Sequence, residues 1–71
     1  MKILVIGATG GSGRAATEEL LARGHAVTAF SRHASSLHLD GELTTIDGDA
    51  TRTRDVAAAV SGQDAVVVAL G

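Results

Sequence analysis

The stretch that most narrows what this chain can fold into is its start, MKILVIGATGGSGR. Lys2 to Ile6 form a short, continuous apolar run that ends abruptly at Gly7, and further glycines follow at Gly10, Gly11 and Gly13. A run without alternation reads as a strand buried on both faces, which is the habit of a parallel sheet. Beyond the glycines, Ser12 to Arg23 carries helical spacing. Ala16, Leu20 and Leu21, with Ala15 beside them, form one apolar stripe, while Glu18, Glu19 and Arg23 point away from it. Gly24 then stands where a helix closes. Strand, glycine loop and helix in that order commit the first third of the chain to a β-α unit.

The remainder repeats the theme. HAVTAFS, His25 to Ser31, is rich in β-formers and reads as a second strand. HASSLHLDGE is a polar loop with room for one helical turn at most. Leu43 to Asp47 reads as a third strand, GDATR as a turn, and Asp55 to Ser61 as a helix with Val56, Ala59 and Val60 on one side. Gly62 stops that helix, and DAVVVALG is a fourth strand. Strands and helices that alternate at these lengths call for a parallel sheet, and right-handed crossovers order it 3-2-1-4. On that α/β, Rossmann-like plan the first helix covers one face and the second helix the other.

Composition agrees and excludes. At 71 residues the chain has room for one core, and with one Phe and no Trp or Tyr that core must be Val, Ile, Leu and Ala. The net charge of −2, with no basic run, argues against nucleic acid or an anionic membrane as partner. Without cysteine there is no disulfide or thiolate chemistry. The apolar start is too short for a signal peptide or a membrane span, so a soluble cytoplasmic protein is the default reading.

Reversal of strand order between strands 1 and 4 opens a crevice at the carboxyl ends of the strands, and the glycine loop lies at its mouth. There the first glycine permits a tight turn. The second lets a phosphate approach the backbone, and the third lets helix and strand pack closely. Amides near Gly11 and Ser12 then point at a pyrophosphate, helped by the helix dipole, and Thr9 and Ser12 add hydroxyls. The spacing is G-x-x-G-x-x-G, and its competing reading is a structural turn that holds nothing. A second near match, the mononucleotide loop G-x-x-x-x-G-K-[ST], fails at both chemical positions, which hold Arg14 and Ala15. Where NAD sites carry an acid at the end of strand 2, this chain has Arg32, with Ser31 and His33 beside it; no acid occurs from Gly24 to Leu39. A guanidinium grips a 2′-phosphate through two parallel bonds, so NADP is favoured over NAD.

Four blocks in order, ILVIGATGGSGR, LLARGHAVTAFSR, IDGDATR and VSGQDAVVVALG, resemble the atypical short-chain dehydrogenase/reductases over all 71 residues. The likeness is to the NAD(P)H-binding, NmrA-like and biliverdin/flavin-reductase-like group. The resemblance implies that Gly7, Gly10 and Gly13 are the glycine triad and that Thr9, Gly11 and Ser12 contact the pyrophosphate. It further implies that Arg32 takes the 2′-phosphate, that Asp49 and Ala50 lie beside the adenine, and that Leu70 and Gly71 lie along the ribose toward the nicotinamide. Family members run on for a hundred residues or more, so the chain looks like the amino-terminal half of a reductase, with the catalytic Tyr and Lys in the absent part. This chain has no Tyr, and its one Lys, Lys2, opens strand 1 at the opposite end of the sheet.

Other candidates read as ordinary surface. His33 and His38 lack a third ligand for a metal, His25 begins a strand, and Arg52 and Arg54 flank a helix start. Asp49 is expected to bond within its own turn. Three functions stay open: the cofactor-binding part of an NADP-dependent oxidoreductase, a non-catalytic nucleotide-sensing module of the NmrA-like kind, and a ligand-free structural fragment. The apolar strand-4 edge invites self-association.

Overall fold

The computed structural model describes residues 1–69. Within it the strands β1 (Lys2–Ile6), β2 (Ala26–Ser31), β3 (Leu43–Asp47) and β4 (Ala65–Val68) form one parallel sheet in the order β3-β2-β1-β4. Helix α1 (Gly11–Ala22) links β1 to β2, and α2 (Thr53–Val60) links β3 to β4. Between β2 and β3, where the sequence left room for one helical turn at most, lies a 3-10 turn at Ala34–Ser36. Leu70 and Gly71, expected at the end of strand 4, lie outside the described residues.

β1 is central, with Val5 in register with Ala29 on one side and Val67 on the other. Side chains alternate across a strand, so the apolar run feeds two cores. Val5, Val27 and Ala29 pack with Leu21 of α1 and with Leu37 on one face. Leu4, Ile6 and Phe30 pack with Ala59 and Val56 of α2 on the other. Phe30, the one aromatic residue, is fully buried. Both faces covered is the condition that a continuous apolar run predicts.

Helix α1 runs one residue earlier than the Ser12–Arg23 expected, and the face it buries differs as well. Ala15 is exposed, and the position buried in its place is Thr17. The buried row of α1 is Gly13, Thr17 and Leu21, a strict i, i+4 series. Thr17 tolerates burial because its hydroxyl donates to the Gly13 carbonyl at 2.8 Å. The pairs Arg14–Glu18 and Arg23–Glu19 lie on the wet face. Helix α2 begins at Thr53, two residues before the Asp55 expected, with a first internal bond from the Val56 amide to the Arg52 carbonyl. His25 falls just ahead of β2, its amide donating back to Leu20.

Candidate functional site

The loop after β1 is built around its glycines. Gly7 has φ +84°, a conformation that L side chains rarely adopt, and its amide donates to the Phe30 carbonyl at 2.8 Å. The Gly10 amide donates to the Gly7 carbonyl at 3.2 Å, which closes the turn. Gly10 is the residue preceding α1; having no side chain, it cannot cap the helix, and no acid stands in the first turn. The first amides of a helix have no partner within it, so the exposed Gly11 and Ser12 present donors and the positive end of the helix dipole. Thr9, Gly10, Gly11 and Ser12 are all exposed.

Gly13 answers a different need. A Cβ there would stand 1.9 Å from the Gly7 carbonyl oxygen and 3.0 Å from Ala8 Cα, so α1 sits against the end of β1 only because this residue has none. At Gly11 a Cβ would meet nothing within 4 Å. The loop is therefore a cradle with an open side. No side chain fills it among the described residues.

Beside the loop, at the carboxyl ends of β1, β2 and β3, lies a cleft of about 320 Å³ lined by Gly7, Phe30, Ser31, Arg32, Gly48, Asp49, Ala50 and Thr51. Three of the residues read from the sequence, Arg32, Asp49 and Ala50, thus share one cleft with Gly7. Arg32 reaches Asp49, with its guanidinium Nη2 3.7 Å from Oδ2. Asp49 takes both the amide (2.8 Å) and the hydroxyl (2.6 Å) of Thr51 on Oδ1. Those two bonds, first the hydroxyl and then the amide, hold its carboxyl below the usual aspartate range, and the charges of Arg32 and Arg52 add to them. Asp55, from the first turn of α2, accepts the Asp49 amide at 3.1 Å and ties this corner to the helix.

Several members of the cleft escaped the sequence reading. Ser31 is 9% exposed, and its hydroxyl is buried with no partner among the described residues. Its signal was only its place at the end of a strand. Gly48 lies under the Phe30 ring, where a Cβ would come within 2.6 Å of it. Thr51 is the partner that closes the turn in which Asp49 was expected to bond.

A roomier groove of about 490 Å³ lies at the opposite, amino end of the strands, lined by Lys2, Thr28, Thr44 and Gln63 among others. It has no helix N-terminus and no glycine cradle, so size alone does not make it the site. Among the described residues there is no group of His, Cys, Asp or Glu that could hold a metal ion, and no helix is long and apolar enough to cross a membrane.

A family model for NAD(P)H-binding matches residues 7–71. Over 65 residues the chain is 43% identical to a 3-beta-hydroxysteroid dehydrogenase of Mycolicibacterium neoaurum, a match that covers 92% of this chain and 18% of the dehydrogenase. It superposes on a Rossmann-fold NAD(P)-binding family protein from Shigella flexneri with a TM-score of 0.82 at 26% identity, covering 97% of this chain and 36% of the other. A Streptococcus pneumoniae protein assigned as an NADH-flavin reductase gives a TM-score of 0.79 at 38% identity, covering 100% of this chain and 31% of the other. The chain thus spans less than a fifth of that dehydrogenase and about a third of those two structures. Since the strand order, the glycine cradle and the residue-level match all agree, this chain belongs to the NAD(P)H-binding family of Rossmann-like proteins, and its cofactor is a nicotinamide dinucleotide.

Proposed function

We propose that this chain is the cofactor-binding part of an NADP(H)-dependent oxidoreductase of the atypical short-chain dehydrogenase/reductase kind. The observation that carries the reading is the cradle itself: Gly13 is forced by contact with Gly7, whereas Gly11 faces open space. A loop kept only for its shape needs Gly13 but not Gly11. In this reading Thr9, Gly11 and Ser12 hold the pyrophosphate through backbone amides and hydroxyls, while Gly7 makes the turn, Gly10 lets the phosphate approach the backbone and Gly13 lets α1 pack on β1. Asp49 and Ala50, which line the cleft, border the adenine. When bound, the dinucleotide supplies a hydride; the chain's own residues bind and orient it.

Preference for NADP over NAD rests on Arg32. Its side chain is 72% exposed at the cleft and no acid stands at the end of β2, while the Ser31 hydroxyl beside it, with no partner among the described residues, offers one more donor. Replacing Arg32 by Ala is expected to weaken NADPH binding by about 1.5–3 kcal/mol, the worth of bonds to a charged group, and to leave NADH nearly unchanged. Calorimetric titration with both cofactors decides the point. Equal losses for the two would remove the NADP assignment, and no binding of either would favour a ligand-free fragment.

A non-catalytic nucleotide-sensing module of the NmrA-like kind would use the same cradle and cleft. Turnover of a quinone, flavin or carbonyl acceptor by a full-length relative carrying this segment separates enzyme from sensor. Self-association through β4 belongs to the same proposal, since Val66 and Val68 are exposed on that edge. A cytoplasmic setting suits a chain with no cysteine and a net charge of −2.

A further inference from the structure

Arg32 has little to hold it in place. Its side chain is 72% exposed and meets Asp49 at 3.7 Å, too long for a tight bidentate pair. What sets the guanidinium is therefore the backbone on either side. Upstream lies β2, in register with β3 as far as Ser31 opposite Asp47. Downstream the chain leaves the sheet and folds at once into the Ala34–Ser36 turn.

One side chain ties that turn to β3. Asp47, the last residue of β3, accepts the Ser35 amide on Oδ1 at 2.8 Å and the Ser35 hydroxyl on Oδ2 at 2.9 Å. Both carboxylate oxygens are thus engaged by a single residue of the turn. Within the turn, Ser36 returns its amide and its hydroxyl to the His33 carbonyl, at 3.0 and 2.7 Å, and Ala34 is fully buried. Asp47 is not among the residues lining the cleft. Its charge is turned toward Ser35, so repulsion of a bound phosphate is the smaller of its two possible effects.

We propose that Asp47 is a positioning residue: by clamping Ser35 it fixes the turn that follows Arg32 and so sets the guanidinium over the cleft for a 2′-phosphorylated dinucleotide. The inference rests on the reading of Arg32 given above, and the test separates the two.

NADPH and NADH are titrated against the full chain and against Asp47→Ala, Arg32→Ala and the double variant. Asp47→Ala is expected to weaken NADPH about five- to tenfold, roughly the loss of two ordinary hydrogen bonds' positioning, with NADH changed less than about twofold. In the Arg32→Ala background the same substitution should add less than about twofold, because residues that act through one another are not additive. If Asp47→Ala does not fold, Ser35→Ala, which removes one bond and strands no charge, should shift the NADPH-to-NADH ratio in the same direction. Equal losses for both cofactors, no loss, tighter NADPH binding, or an undiminished loss in the Arg32→Ala background would each overturn the role of Asp47. An Arg32→Ala chain that keeps its preference for NADPH overturns the reading of Arg32 and this inference with it.

Discussion

Gly11 and Gly13 stand two residues apart in one helical turn, yet their hydrogen atoms face different things. The Gly13 hydrogen faces the Gly7 carbonyl, and a methyl in its place would overlap backbone that cannot step aside. Gly13→Ala is therefore expected to cost about 1–3 kcal/mol or more, the usual range for overpacking. Gly11→Ala meets nothing, so it should keep the melting temperature while intruding on the space above the first amides. Thermal denaturation of both variants, with NADPH titration of whichever folds, checks the pair; a Gly11→Ala protein that melts as early as Gly13→Ala would contradict this division. Acid titration probes two other residues. Asp47 is held below the ordinary aspartate value near 3.8 chiefly by the Ser35 amide and then its hydroxyl, and Asp49 by Thr51. A carboxyl whose folded value is depressed contributes stability that is present above the unfolded value and is lost as pH falls through the folded one. Stability should accordingly decline below about pH 4, and Asp47→Asn with Asp49→Asn should flatten that decline in urea melts taken across the acid range.

Elements show which of these features a sequence can display. Gly48 precedes the α2 connection and lies under Phe30, whose ring is sealed in the α2-side core. A methyl on Gly48 would press within 2.6 Å of this buried ring, so Gly48→Ala should destabilise by about 1–3 kcal/mol. Gly48→Ala with Phe30→Leu should recover part of that loss in chemical denaturation, and no recovery would mean that the ring is not the obstacle. The sheet order was legible because continuous apolar runs and helical spacing are local patterns. The glycine cradle was legible for the same reason, its triad being a matter of position along the chain. Thr17 was not: by composition a threonine belongs to the wet face, and only the Gly13 carbonyl one turn back makes it fit to bury. Nor could spacing reveal the Arg32–Asp49 pair or the Asp47–Ser35 clamp. Those contacts exist because β2 and β3 end side by side, a fact of three-dimensional register.

At the scale of the molecule the two edges of the sheet differ. β3 presents Leu43, Thr44, Thr45, Ile46 and Asp47, with Thr44 exposed and Asp47 engaged by the turn at Ser35. β4 is Ala65, Val66, Val67 and Val68, without the charge or proline that native edges use to resist pairing. Val66 and Val68 are in register with Leu4 and Ile6, so they face the α2 side, and they are 43% and 61% exposed. Val60, the last residue of α2, is exposed as well. Three of the exposed large apolar residues thus belong to α2 and the edge strand that follows it, and among the described residues no strand pairs with the outer side of that edge. A second copy of the chain brought edge to edge would pair with that side and cover the valines at once. The expected outcome is concentration-dependent association in sedimentation velocity, abolished by Val66→Lys. NADPH affinity should survive that substitution, because Val66 is not among the residues lining the cleft. A wild-type chain that stays monomeric at every concentration tested, or a Val66→Lys chain that still associates, would show that this edge is not what draws two copies together.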